Sequence, residues 1–437
     1  MPSFLEPRLQ RRYRELVMGH LQAAQGLASG IHSLPGAATS FAATQAAYRF
    51  FNNQRISLRD LARPLVEAGR QEAVTACRRY LLVAHDWSQL MYPEHTAKRD
   101  RVMLSSKHVP EGYELQTALL VSDRDGSPLA PAVLSLRASD GVHCSRSARI
   151  RAAKSPLDEL DPAMTFIEQQ RLGFPLVHLV DAEADSVGHY RVWSQRAGRL
   201  FLVRADDRLA EHAGQERKCS AICEQLRQQD RFVQVREIRY HGRRAWQWVA
   251  EVPVRLTRPA QRNRPGTNDR QRITGPPLPL RLVIAEARDD SGRVLAVWYL
   301  LSNVPADADA ATLALWYYWR WSIETYFKLL KSAGLNAEEW QQTSAAAIAR
   351  RLLVASMACV TVWQLARSEH PQAEPVRKLL VRLSGRQMKR GRAYTMPALL
   401  AGLWSLLAML EVMETHSIDE LRELARTALS LPTAKPP

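Results

Sequence analysis

Cysteine is scarce in this chain. Cys77, Cys144, Cys219, Cys223 and Cys359 are scattered and odd in number, which argues against a disulfide framework and for reduced thiols in a cytoplasmic protein. Cys219 and Cys223 alone lie close together, and no second ligand pair follows at the spacing of a zinc site, so a thiolate-held metal is not expected. Long apolar runs are missing as well. None reaches the ~18 residues a membrane-spanning helix needs, and Met1 to Arg8 carries charge within a few positions and lacks a signal-peptide core. Acid is the minority charge: 44 Asp and Glu stand against 60 Lys and Arg, a formal net charge of +16. Such an excess attracts polyanions and releases counterions on binding nucleic acid. DNA or RNA is therefore favoured as partner over a membrane.

At 437 residues and 46% hydrophobic composition, the chain is long enough for two or three domains with a large core. The first 75 or so residues read as helices, broken at Ser33-Leu34-Pro35-Gly36. Arg11, Arg12, Arg14, Arg49 and Arg55 suit a small DNA-binding module; a helical cap with solvated arginines is the alternative. Next, Tyr80-Leu81-Leu82-Val83-Ala84-His85 has the continuous apolar character of a strand buried on both faces, and Asp86 ends it. A second apolar strand, Leu176-Val177-His178-Leu179-Val180, likewise delivers Asp181 at its tip. Asp is also a favoured turn residue, so one such case is ordinary; two on neighbouring strands are less so.

The densest constellation is Tyr317-Tyr318-Trp319-Arg320-Trp321-Ser322-Ile323-Glu324-Thr325-Tyr326-Phe327-Lys328-Leu329-Leu330-Lys331. Helical spacing predicts one helix with Tyr317, Arg320, Glu324 and Lys331 on one face. Ile323, Phe327 and Leu330 would face a core. A salt-bridged, solvated face would show the same Arg-Glu spacing. As a pattern, however, Tyr-x2-Arg-x3-Glu-x6-Lys resembles the signature of the DDE transposases of the insertion-sequence-four family. Val180-Asp181-Ala182-Glu183-Ala184-Asp185 resembles that family's second-aspartate motif, and Ala47-Tyr48-Arg49-Phe50-Phe51-Asn52-Asn53 its amino-terminal DNA-recognition domain.

The resemblance implies an α/β fold, with a ribonuclease-H-like catalytic core over residues 73–366 and an inserted β-subdomain at about 209–296. A helical DNA-binding domain (1–72) would precede the core, and a helical C-terminal domain (367–437) for dimerisation or DNA contact would follow it. It makes Asp86, Asp181 and Glu324 the catalytic carboxylates, with Asp185 left to cap or orient. Three such oxygen donors would hold two Mg2+ ions, for which Mn2+ can substitute, about 3.5–4 Å apart for in-line phosphoryl transfer. Crowded carboxylates repel, so the site is expected to be weakly formed without the ions.

Tyr317, Arg320 and Lys331 are expected to meet DNA phosphate. Arg204 and Arg208 follow a further strand and are taken as additional DNA contacts. Trp298 and Trp321 stand where relatives receive or push a flipped base, or are core tryptophans. The implied activity is cut-and-paste transposition by a homodimer on transposon-end and target DNA, through a hairpin intermediate, in a bacterial cytoplasm. The alternatives are a metal-dependent nuclease or resolvase with a related core, or a DNA-binding protein derived from a transposase and no longer catalytic. A tyrosine recombinase using Tyr317 is a third.

Overall fold

The computed structural model describes residues 6–22, 37–104, 111–147, 150, 156–263 and 270–430. The break expected at Ser33-Leu34-Pro35-Gly36 lies outside the described residues. Three helices open the chain: α1 (Pro7–Gln22), α2 (Ala37–Asn52) and α3 (Leu58–Ala76). Ser57 starts the third by accepting a hydrogen bond from the Asp60 N–H, the cap its Ser-x-x-Asp pattern predicts.

A run of antiparallel strands follows: β1 (Leu81–Met91), β2 (Gly112–Ser122), β3 (Pro128–Ala138) and β4 (Gly141–Cys144). Helix α4 (Leu160–Gln169) returns the chain to β5 (Leu176–Val180), and α5 (Val187–Ser194) leads to β6 (Leu200–Ala205). Beyond this come β7 (Leu209–His212), β8 (Gln215–Lys218), α6 (Cys219–Gln228), β9 (Val233–Tyr240), β10 (Arg243–Leu256), β11 (Ala260–Asn263), β12 (Arg270–Ile273), β13 (Leu278–Arg288) and β14 (Val294–Ser302). The rest is helical: α7 (Ala310–Trp319), α8 (Ser322–Leu330), α9 (Ala345–Arg367), α10 (Ala373–Leu383), α11 (Met396–Met413) and α12 (Ile418–Ser430).

Twelve strands share one mixed sheet in the order β4-β3-β2-β1-β5-β6-β14-β13-β10-β7-β8, with β9 paired to β10. Only β1–β5 and β5–β6 are parallel. β7 to β10, β13 and β14 thus extend the central sheet, since β14 pairs antiparallel with β6, while β11 and β12 pair only with each other in a separate two-stranded sheet. Alternation along β1 sends Leu82 and Ala84 into the core under α8 and α9, and Leu81 and Val83 into a second core that includes Ala163 and Ile167 of α4.

Three expectations need correction. Asp86 does not end its strand: β1 runs on to Met91, paired with β2 throughout. What does end near Asp86 is the parallel pairing, because β5 stops at Val180. The Tyr-Arg-Glu-Lys stretch is two helices and not one. The helical pattern is interrupted at Arg320-Trp321, where the Ile323 N–H bonds back to Arg320 O in a tightened turn. Finally, two helices, α9 and α11, are long and apolar enough to cross a membrane by length and composition. Most of α9 is buried within the molecule, as a core helix; α11 is buried mainly at its first turns.

Candidate active site

Register brings the two aspartates together. Leu81 to Ala84 pair in parallel with Leu176 to Leu179, and the same offset carried two residues further sets Asp86 beside Asp181. Alternation puts both on the face covered by α8, and puts His85 and His178 on the opposite face. There the two imidazoles, fully buried, lie 2.9 Å apart. His178 also faces Glu168 of α4 at 3.4 Å, and Glu168 receives two bonds from Arg199 at the foot of β6. This polar chain crosses the three strands that set the Asp86–Asp181 spacing.

On the α8 face, Arg320 is the centre. Its Nη1 donates to Asp86 Oδ2 and its Nη2 to Asp181 Oδ2, each at 2.7 Å. The residue is 3% exposed. Burial alone would depress its pKa; Tyr317 and the two carboxylates outweigh that and keep the guanidinium charged. Asp181 also accepts from Tyr317 OH at 3.1 Å and from the Ala182 N–H at 2.6 Å, while Arg204 approaches it to 3.6 Å. Asp86 accepts from the Trp87 N–H at 2.9 Å.

Burial raises the Asp86 carboxyl above its ordinary range in spite of Arg320, with Asp181 adding to the rise. Glu324, on the first turn of α8, is raised by burial and then by the charge of Asp86. Sequence reasoning passed over Glu183, quoted only as part of the second-aspartate motif. Burial, then Asp86 and Asp181, raises its carboxyl too, so it belongs to the same acidic pocket.

The remaining expected residues are placed as follows. Lys331 caps α8 and donates to Gln89 O of β1 at 2.7 Å, with Glu338 at 3.1 Å. Arg208 is committed to Asp185 at 2.8 Å and lies over the Tyr190 ring; Asp185 accepts further from Tyr190 OH and from the Asp206 N–H. Trp321 is 58% exposed beside the site. Trp298 is half-buried, edge-on to Tyr240 and packed with Tyr318 on the β9–β10 hairpin.

The arrangement as it stands does not fit a divalent ion. Among the described residues no group of three or more His, Cys, Asp or Glu side chains is placed to hold one. The space between Asp86 and Asp181 is already filled by a cation, Arg320. The expected weakness of a metal-free site is corrected for the same reason: the guanidinium cancels the repulsion that would otherwise push the aspartates apart.

Helices α1 and α2 bury Tyr13, Leu16, Phe50 and Phe51 in the core that α9 shares and leave Arg8, Arg11, Arg14, Arg49 and Arg55 exposed. Arg350 of α9 ties them down, donating to Phe51 O and Ile56 O at 3.0 and 2.9 Å. No curated protein matches the chain. Residues 3–56 match the transposase DNA-binding family, which supports a transposase role with DNA as the partner.

Proposed function

We infer that the chain is a DNA transposase of the DDE class, in which residues 3–56 hold DNA and Asp86, Asp181 and Glu324 form the cutting and joining site. The single observation that carries this reading is the convergence on Arg320 of carboxylates from two distant segments, Asp86 and Asp181. A solvated Arg-Glu helix face would have no reason to bury that guanidinium. Two further facts support it. The order β3-β2-β1-β5-β6, antiparallel through β1 and parallel after it, supports the ribonuclease-H-like core that this reading implies. The match at the N-terminus concerns the DNA-binding domain of transposases.

In this reading Arg204 and Arg320 meet the negative charge of a bound phosphodiester, and Arg suits it because its planar fork matches phosphate oxygens in pairs. Lys331 fixes the end of α8 to β1, so that Glu324 is held against Asp86. In this reading exposed Trp321, next to Arg320, and half-buried Trp298 on β14 supply aromatic surface on which an unstacked base can rest. End cleavage through a hairpin, strand transfer into target DNA and a homodimer all belong to this proposal. So does a cytoplasmic location. Asp86, Asp181 and Glu324 would be magnesium ligands only in an arrangement other than the one around Arg320.

Tyr317 is a poor nucleophile here. It is 5% exposed, bonded to Asp181, and its phenol is pushed well up by burial. A strand-transfer assay with Mg2+ on the DNA ends of the encoding element tests the reading. Joined product supports it; metal-independent cleavage with a covalent Tyr317–DNA adduct overturns it. Engagement of both aspartates by Arg320 also favours a second reading, a DNA-binding protein that no longer cuts, for which the same assay gives bound but intact DNA.

A further inference from the structure

Acid disappears from one stretch of the chain: no Asp or Glu occurs between Glu374 and Glu411, while seven Lys and Arg do. Two of the seven are engaged. Arg377 donates to the carbonyls of Leu365, Ala366 and Ser368 at the end of α9 and lies over the Tyr394 ring. Lys378 pairs with Glu374 at 2.6 Å. The other five, Arg382, Arg386, Lys389, Arg390 and Arg392, are exposed, and none of their side chains meets a carboxylate among the described residues. An ordinary solvated surface interleaves both signs. Five like charges this close together repel one another until an anion is bound.

The segment that carries them is held in shape. Helix α10 seats on α11 so closely that a Cβ on Gly402 would lie 1.9 Å from Leu380 O, and Ser405 Oγ donates to Leu383 O at 3.2 Å. Between the helices the loop makes two tight turns, each with a glycine in the left-handed region. Gly385, at φ +62°, bonds its N–H to Arg382 O; the Arg392 N–H bonds to Lys389 O around Gly391, at φ +78°. Tyr394 OH then donates to Ala366 O at 3.0 Å, and Thr395 caps α11. Little ordering entropy is left to lose when a ligand binds such a loop. Helix α11 in turn packs on α1, in the core that takes Tyr13 and Leu16. The basic loop is thus borne by helices packed against the region that matches the transposase DNA-binding family.

Resting on the reading of DNA as partner, we propose that Arg382, Arg386, Lys389, Arg390 and Arg392 form a second DNA-binding surface, one that grips the phosphate backbone of a duplex without regard to sequence. It lies outside residues 3–56 and shares no residue with the carboxylate pocket. Four of its five cations are guanidiniums, whose planar forks match phosphate oxygens in pairs. The loop is neither an α-helix nor a β-ribbon, the two forms that enter a major groove. Its contacts position the duplex and carry no base information.

The test is a fluorescence-anisotropy titration of the full chain with a duplex of about 20 base pairs of arbitrary sequence, over a range of salt. The quadruple variant Arg386→Gln, Lys389→Gln, Arg390→Gln, Arg392→Gln is expected to lose at least about tenfold in affinity near about 0.1 M salt. Its slope of log K against log salt should fall in magnitude by about three to four, close to one for each phosphate contact removed. The triple variant Arg386→Lys, Arg390→Lys, Arg392→Lys keeps the charge and is expected to keep most of the slope. Thermal unfolding without DNA checks that each variant folds. If the quadruple variant does not, the pair Lys389→Gln, Arg390→Gln replaces it, with a fall in slope of about two. Wild-type affinity and slope in the glutamine variants overturn the proposal and leave the DNA reading standing. So does a loss of affinity for single-stranded RNA with none for the duplex, which assigns the surface to RNA. Failure of the wild type to bind even the DNA ends of the encoding element overturns the reading as well.

Discussion

Arg320 reaches Asp86 across 234 positions of sequence to form a 2.7 Å ion pair that is almost wholly buried. A second bond of equal length joins the same guanidinium to Asp181. One side chain thus fixes the relative positions of β1, β5 and the α7–α8 junction, and it neutralises charge that would otherwise drive them apart.

Removal of Arg320 leaves two partly buried carboxylates without a counter-charge. Breaking a buried ion pair by deleting one partner typically costs about 3–5 kcal/mol. Arg320→Ala is expected to fall in that range by urea denaturation in the absence of divalent ions. Adding Asp86→Asn to it should restore part of the loss, because the uncompensated charge is what costs; a purely additive double variant would contradict this.

Stability should depend on pH through the acidic pocket. Glu324 and Asp86 are both raised above their ordinary values by burial first; Asp86 then raises Glu324, and Asp181 adds to the rise of Asp86. A carboxyl with a higher pKa in the folded state takes up a proton on folding. Stability therefore falls as pH rises from the ordinary carboxylate value through the raised one. Glu324→Gln removes one such group. Thermal unfolding between about pH 4 and pH 8 should show the variant less sensitive to pH, and more stable than wild type at the upper end.

Glu168 has the opposite sign. Burial would raise it, but His178 at 3.4 Å and the hydrogen bonds and charge of Arg199 prevail and hold it at about 2. Its contribution is present above the ordinary carboxylate value and is lost as pH falls toward about 2. Glu168→Gln should flatten the acid limb of the stability curve. It should also loosen the strand spacing beneath Asp86 and Asp181, seen as faster amide exchange in β5.

Gly126 supports the motif from the β2–β3 turn. Its φ is +73°, and a Cβ there would lie 2.3 Å from Cγ of Trp319, while its carbonyl accepts from Ser322 Oγ at 2.7 Å. Gly126→Ala is expected to displace Trp319 and destabilise the protein by about 1–3 kcal/mol. Ser322→Ala, which loses only the hydrogen bond, should cost about 1 kcal/mol. Denaturation of both variants distinguishes backbone strain and crowding from the bond.

Arg204 is the exposed cation nearest Asp181, and it is expected to contact one phosphate. Arg204→Gln should lower the slope of log K against log salt for duplex binding by about one, at little cost in sequence preference. An unchanged slope would place Arg204 off the DNA path.

Much of this architecture was legible in the residues. The apolar runs before Asp86 and Asp181 predict two buried strands, and both are present as β1 and β5. Spacing alone could not show the break at Arg320-Trp321, because both residues keep helical dihedral angles and only the hydrogen-bond pattern changes. Nor could it show that Arg320 turns inward: Arg-Glu periodicity reads the same whether the guanidinium meets phosphate, a neighbour on the helix or a distant aspartate. His85 and His178 lie within the apolar runs; their pairing depends on the parallel register, which sequence does not display. Arg208, read as a DNA contact, is held by Asp185, a partner 23 positions away.

The central claim is that Asp86, Asp181 and Glu324 act together on DNA that residues 3–56 hold. The most direct measurement compares cleavage and binding of end DNA by wild type and Glu324→Ala under the same Mg2+ conditions. Loss of cleavage with end binding unchanged is the predicted result. Cleavage by Glu324→Ala at the wild-type rate would contradict the account.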